Sequence, residues 1–320
     1  MVENTYSSCE PSYIKMHKSS ELEERIEKLY QILESCELCP RKCRVNRRRE
    51  EKGTCRSGKE LQISSYGPHF GEEPPLVGKT QISVMDLFGA SKGGSGTIFL
   101  THCSLLCVYC QNYDISHLGY GKTITPNETA RIMIELQNRG CHNINFVTPT
   151  HFTPQLIKAT KRAITNGLKI PIVWNCSGYE NVEIIKLLDG IVDIYMPDIK
   201  YSQSDPAKKY SKAPDYFDRC KEAVKEMFRQ VGDLRLDKKG IAYRGLLIRH
   251  LVLPNDLSGS MDVLKFIADD LSTNSYVNIM PQYRPEGDAY RFKELSRKPT
   301  WKEVNRVKEI AKKLGLTRGI

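Results

Sequence analysis

Cys103-Ser-Leu-Leu-Cys107-Val-Tyr-Cys110, near the middle of the chain, forms a C-x3-C-x2-C run. Three thiolates on so short a loop can ligate three irons of a cubane [4Fe-4S] cluster and leave the fourth iron open. An open iron is what a chelating substrate needs. The competing reading is zinc, which wants a fourth ligand and has a candidate in the adjacent His102.

A second group, Cys36-x2-Cys39-x3-Cys43-x11-Cys55, offers four thiolates within twenty residues. Four Cys ligands close a site, which makes this one structural zinc or an auxiliary [4Fe-4S] cluster rather than an open catalytic centre. The short spacing and many nearby cations suit a zinc knuckle. An auxiliary cluster would instead relay electrons, and the spacing leaves both open. The remaining cysteines (Cys9, Cys141, Cys176 and Cys220) are isolated and read as ordinary thiols.

Around these groups the chain must supply a scaffold. Its 320 residues, 40% hydrophobic and 27% charged, suffice for one large α/β domain with a small appendage. No apolar run is long enough for a membrane span, and the first thirty residues contain no secretory h-region. A cytoplasmic protein is expected, where thiols stay reduced and eleven cysteines mean metal rather than disulfides. The net charge of +10 is concentrated: residues 41–59 carry nine Lys or Arg against two Glu, a net +7. Such a focus attracts RNA or an acidic electron donor of the ferredoxin or flavodoxin type.

Residues 1–18 read as a flexible tail. Residues 19–60 read as a helix, capped by Ser19 or Ser20 with Leu22, Ile26, Leu29, Ile32 and Leu33 on one face, followed by the Cys-rich metal-binding segment. Gly and Pro punctuation makes 61–92 an irregular wrap. From 93 to 290 β-rich runs (97–101, 143–148, 171–175, 192–196, 245–252 and 276–280) alternate with helical segments. Helix starts are marked by Thr125-Pro126-Asn127-Glu128 and Thr153-Pro154, and Thr300 caps a last helix within 291–320. Six such strands predict an α/β fold: a partial (β/α)6, TIM-like barrel, open rather than closed, with its site at the C-terminal strand ends.

The C-x3-C-x2-C run with Tyr109 before its last Cys resembles the signature of the radical S-adenosylmethionine (SAM) superfamily. Residues 94–103 (Gly-Ser-Gly-Thr-Ile-Phe-Leu-Thr-His-Cys), 108–113, 192–200 and 247–254 resemble an iron–sulfur branch of the pyruvate formate-lyase-activating-enzyme-like proteins, and the likeness runs from about residue 36 onward. The resemblance implies a partial barrel in which the [4Fe-4S] cluster reductively cleaves SAM to a 5′-deoxyadenosyl radical that abstracts hydrogen from a substrate. It also implies cofactor-binding roles for Tyr109, for Asn175 and Ser177, for Met196, Asp198 and Lys200 in an Asp-x-Lys context, and for Arg249 toward the SAM carboxylate.

One stretch departs from that pattern. Where activating enzymes carry Gly-Gly-Glu-Pro, this chain has Thr148-Pro149-Thr150-His151, which leaves His151 as either a substrate-side group or a structural one. His250, out of phase with Arg249, reads as a packed residue. The substrate stays open. A protein partner such as a glycyl radical enzyme is one expectation, and a basic iron–sulfur or zinc module that binds RNA or transfers electrons without SAM chemistry is the alternative.

Overall fold

The computed structural model describes residues 10–78 and 93–320. Nine strands form one mixed sheet: β1 (Leu61–His69), β2 (Ser95–Leu100), β3 (Lys122–Ile124), β4 (Ile144–Val147), β5 (Ile172–Cys176), β6 (Ile194–Ile199), β7 (Arg235–Leu236), β8 (Ala242–Leu251) and β9 (Tyr276–Met280). β2, β4, β5, β6, β8 and β9 run parallel in that spatial order. They are the six strands expected from the sequence, and they make the partial barrel. β5 is buried along its whole length, as a parallel strand covered on both faces must be.

Helices cover the outside of the sheet. Pro126–Asn138 and Trp301–Lys313 each open with a complete capping box, Thr125 with Glu128 and Thr300 with Glu303. Two other expected caps do not form. The Ser20 hydroxyl bonds the Glu24 carboxylate rather than a helix N–H, and Thr153 lies inside its helix with its hydroxyl on the Thr150 carbonyl.

Two segments are more ordered than the sequence suggests. Of the expected tail, residues 1–9 lie outside the described residues, but Ser12–His17 is a helix. Tyr13 within it is fully buried and donates to the Ile170 carbonyl at 2.7 Å, while the Ser12 N–H meets the Asp193 carboxylate at 2.8 Å. One aromatic anchor and one buried acceptor hold the segment down. The expected wrap begins as β1, antiparallel to β2, and β3 pairs on its far side. The alternation of Leu61 and Ile63 with polar residues carries that strand, and the following glycines and prolines hide it from a composition reading. Leu76, beyond β1, inserts into the barrel interior with Val173, Ile194, Met196 and Leu247. Residues 79–92 lie outside the described residues. No helix among the described residues is long and apolar enough to cross a membrane.

Candidate functional site

A parallel barrel presents one residue of each strand at its C-terminal rim, and here those residues converge. Leu100, Val147, Asn175, Asp198, Arg249 and Met280, from the six parallel strands, line one cavity of about 250 Å³. Cys103, Cys107 and Cys110 line the same cavity on the loop after β2, together with Tyr109, Ser177 and Lys200.

Each sulfur accepts a hydrogen bond: Cys103 from the Leu105 N–H (3.3 Å), Cys107 from the Ser211 hydroxyl (3.1 Å) and Cys110 from the Ser116 hydroxyl (3.2 Å). Burial and the neighbouring Cys107 sulfur push the Cys103 thiol up to about 12. Burial raises Cys107 too, against the pull of the Lys200 ammonium and the Ser211 hydroxyl. Cys103 and Cys107, both held as thiols by their surroundings, give up their protons readily to a bound cation, and with Cys110 beside them the donor set fits an iron–sulfur cluster.

The loop is built under strain. His102, Leu106 and Thr148 all line the cavity with left-handed backbones, at φ of 65°, 55° and 62°. Left-handed non-glycine residues cost energy and gather at functional sites. Thr148 stands at the start of the stretch that departs from Gly-Gly-Glu-Pro, and it takes a conformation suited to glycine. Its N–H donates to the Asn175 carbonyl at 2.8 Å, which ties the ends of β4 and β5 together.

A charged network shares the cavity with the thiols. Asp198 and Arg249 are register partners on β6 and β8, and the Arg249 Nε reaches the Asp198 carboxylate at 2.7 Å. Lys200 Nζ approaches the other Asp198 oxygen at 2.5 Å, and Arg249 Nη2 donates to Asn175 Oδ1 at 2.8 Å. Burial disfavours ionised Asp198, yet the Arg249 and Lys200 charges hold its carboxyl below the usual range. Arg249 also lies 3.8 Å from Glu72, a residue the sequence pattern does not single out. Tyr109 is buried against Tyr283 and Tyr201, edge to face with centroids 5.6 and 6.3 Å away.

Two expected residues fall elsewhere. Met196 shares the face of Asp198 but lies one layer deeper, in the apolar filling of the barrel, and does not line the cavity. His151 faces away from this cavity and lines the small one between Cys36, Cys39, Cys43 and Cys55. His250 is packed as expected, with Nδ1 at the Ile199 carbonyl and Nε2 at the Ser260 hydroxyl. The cavity also recruits Gln111, Asn112 and His117, which were missed although they follow Cys110 within seven residues, and Tyr283 from a distant loop.

The four N-terminal cysteines do come together. The Cys39 thiol is raised by burial and by its neighbours Cys55, Cys36 and Cys43. The basic run around them is only partly solvated: Arg41 and Arg47 spend their guanidinium groups on backbone carbonyls.

Comparison with known proteins agrees with this geometry. Residues 97–233 match the profile of the Radical SAM superfamily. The chain is 34% identical over 307 residues to uncharacterized protein MJ0674 of Methanocaldococcus jannaschii, a match that covers 93% of this chain and 80% of that protein. It belongs to the radical SAM superfamily. The solved structures the chain is similar to include a radical SAM methyltransferase from Sphaerobacter thermophilus (16% identity, TM-score 0.48, covering 70% of this chain and 65% of that one). Another is HydG, a maturase of the [FeFe]-hydrogenase (13% identity, TM-score 0.47, 95% and 63%). The chain spans less than two thirds of either solved structure.

Proposed function

We propose that Cys103, Cys107 and Cys110 hold a [4Fe-4S] cluster against which SAM binds and is cleaved, and that the product radical abstracts hydrogen from a protein partner. The observation that carries the reading is the meeting of the three thiols with Asn175, Asp198, Lys200 and Arg249 in one cavity at the strand ends. When bound, the cluster would supply the electron that splits SAM into methionine and a 5′-deoxyadenosyl radical.

The protein's own part is binding and orientation. Arg249, held flat by Asp198 and Asn175, presents its guanidinium to the cavity as a partner for the SAM carboxylate. Asp198 balances Arg249 and Lys200, so the cavity wall does not carry two uncompensated cations. Tyr109, Tyr283 and Met280 provide apolar wall for the nucleoside and exclude water.

The likeness of 192–200 to activating enzymes favours a glycyl radical enzyme as the partner. An acidic one-electron donor of the ferredoxin or flavodoxin type suits the exposed members of the basic run, Lys42, Arg44, Arg48, Arg49, Lys52, Arg56 and Lys59. The test is electron paramagnetic resonance of the reconstituted, dithionite-reduced protein before and after SAM is added. A changed cluster signal is expected; an unchanged one with the cluster intact contradicts SAM binding at the open iron.

A further inference from the structure

One guanidinium ties the two cysteine-bearing segments together. Arg41, between Cys39 and Cys43, sends Nε to the Ser104 carbonyl and Nη2 to the Leu105 carbonyl, both at 3.1 Å. Nη2 also reaches the Ser211 carbonyl at 2.6 Å, and Nη1 donates to the Lys212 carbonyl. Four carbonyls from two distant stretches of chain meet one side chain. Only arginine suits the task, since its planar fork carries five donors in fixed directions.

The carbonyls form a chemically related set. A trans peptide unit is planar, so fixing its oxygen also fixes the direction of its N–H. The Ser104 oxygen belongs to the peptide whose N–H, on Leu105, donates to Cys103 Sγ at 3.3 Å. The Leu105 oxygen belongs to the next peptide, whose N–H is on Leu106. Burial raises the Cys103 thiol, and the Leu106 and Leu105 N–H groups oppose that rise. Ser211 is the residue whose hydroxyl donates to Cys107 Sγ at 3.1 Å. Three of the four carbonyls that Arg41 holds thus belong to groups that bond a catalytic sulfur.

Both stretches need a hold from outside. Leu106 has a left-handed backbone at φ 55°, a costly conformation for a residue other than glycine. The helix Ser204–Ser211 ends at Lys212, left-handed at φ 52°, and the last carbonyls of a helix lack partners within it. Arg41 supplies donors to both places at once. Its guanidinium carbon lies 5.3 Å from the centre of the Tyr179 ring, whose hydroxyl donates to Asp215 at 2.8 Å. Burial raises the Cys39 thiol, and the main-chain N–H of Arg41 opposes that rise. The residue thus serves one cysteine group through its backbone and the other through its side chain.

Hydrogen bonds to sulfur and nearby charge set the reduction potential of an iron–sulfur centre. Reduction adds negative charge, which donors and a cation stabilise. The four partners of Arg41 are neutral carbonyls, so they leave its positive charge uncancelled.

We propose that Arg41 is a positioning residue for the catalytic cluster: it holds the donors that reach Cys103 and Cys107, and so raises the cluster's reduction potential. The proposal rests on the three cysteines being cluster ligands, whatever the four-cysteine site binds.

The test is a redox titration of the reconstituted full chain, followed by electron paramagnetic resonance, with Arg41→Gln and Arg41→Lys beside the wild type. The same titration of Cys107→Ala identifies any signal that does not come from the three-cysteine loop. Arg41→Gln should titrate at a more negative potential with the iron of the loop retained. Arg41→Lys keeps the charge without the fork and should fall between the two. Arg44→Gln removes an equal charge from the same segment. Arg44 is exposed and pairs with Glu37 at 2.8 Å, so the potential should stay where it is. An unmoved potential in Arg41→Gln, or an equal shift in Arg44→Gln, overturns the proposal. A wild type with no cluster that depends on Cys107 contradicts the cluster reading itself, and the proposal falls with it.

Amide hydrogen exchange on the same samples, read by mass spectrometry over residues 103–107, decides the matter if a variant loses its iron. Arg41→Gln should exchange there about fivefold faster than wild type or more, as the loss of about 1 kcal/mol allows, with β5 unchanged. Unchanged exchange at 103–107 overturns the hold of Arg41 on the loop. Equal acceleration in β5 would make Arg41 a general stabiliser and overturns the specific role.

Discussion

Cys103, Cys107 and Cys110 face a cavity of about 250 Å³ that they share with Asp198, Lys200 and Arg249, whereas Cys36, Cys39, Cys43 and Cys55 surround one of about 10 Å³ walled by Arg47 and His151. The first site has one donor too few for a cubane and room beside it for a second molecule. The second has four donors around a space of about one water molecule. Both loops use left-handed non-glycine residues and hydrogen bonds to sulfur. What differs is the donor number and the company the thiols keep, and that difference separates an open site from a closed one.

The sharpest way to break the comparison is to remove one ligand from each site. Cys107→Ala should abolish SAM cleavage, while Cys55→Ala, at a residue that does not line the larger cavity, should leave cleavage driven by dithionite. Loss in both variants, with the protein folded, would mean that the two sites are not distinct in role.

Next in size is Asp198→Asn, which takes the shared carboxylate from two largely enclosed cations. Leaving a buried charge unpaired costs about 3–5 kcal/mol, and the partial exposure here makes the loss smaller, read as a lower unfolding midpoint together with weaker SAM binding. No fall in stability would show that Arg249 and Lys200 find other partners, Glu72 being the nearest candidate for Arg249.

Gly53→Ala separates the sites by space alone. The added methyl meets the Cys43 Cβ at 2.7 Å and its sulfur at 2.8 Å. Metal content at the four-cysteine site should fall while iron at the three-cysteine loop is kept. Full metal content at both sites would mean that the loop yields without cost.

A smaller effect comes from Glu180, a buried residue that accepts from the Thr150 hydroxyl at 2.5 Å. Burial raises its carboxyl from the ordinary 4.5 to about 8. The folded protein therefore keeps a proton that the unfolded chain releases above pH 4.5. Stability is full below that pH and declines until the pH reaches about 8. Glu180→Gln should flatten this decline, measured as unfolding midpoint against pH; an unchanged slope would place its origin elsewhere. Smallest is Ser211→Ala, which removes the hydrogen bonds of its hydroxyl to Cys107 Sγ and to the Tyr201 hydroxyl, each worth about 1 kcal/mol, and should move the potential of the catalytic cluster without emptying it.

Much of this was legible in the sequence because it rests on short-range rules. The three-cysteine run, the six β-rich segments and the Thr125 and Thr300 capping boxes are each written within a few residues. Asn175, Asp198 and Arg249 were legible through the strand-end rule and the family resemblance together. Met196 was misplaced because a period of two gives the face of a strand but not the depth along it. His151 was ambiguous because its partners, Arg47 and Thr101, lie 104 and 50 residues away. Glu72 and the burial of Tyr13 likewise depend on distant contacts that no local pattern encodes.

The central claim concerns the three-cysteine loop, and product formation tests it most directly. The protein is reconstituted without oxygen, reduced with dithionite and given SAM, and 5′-deoxyadenosine is measured by chromatography beside Cys107→Ala. Formation by the wild type and not by the variant is the predicted result. No 5′-deoxyadenosine from a wild type whose cluster is intact and reduced would contradict it.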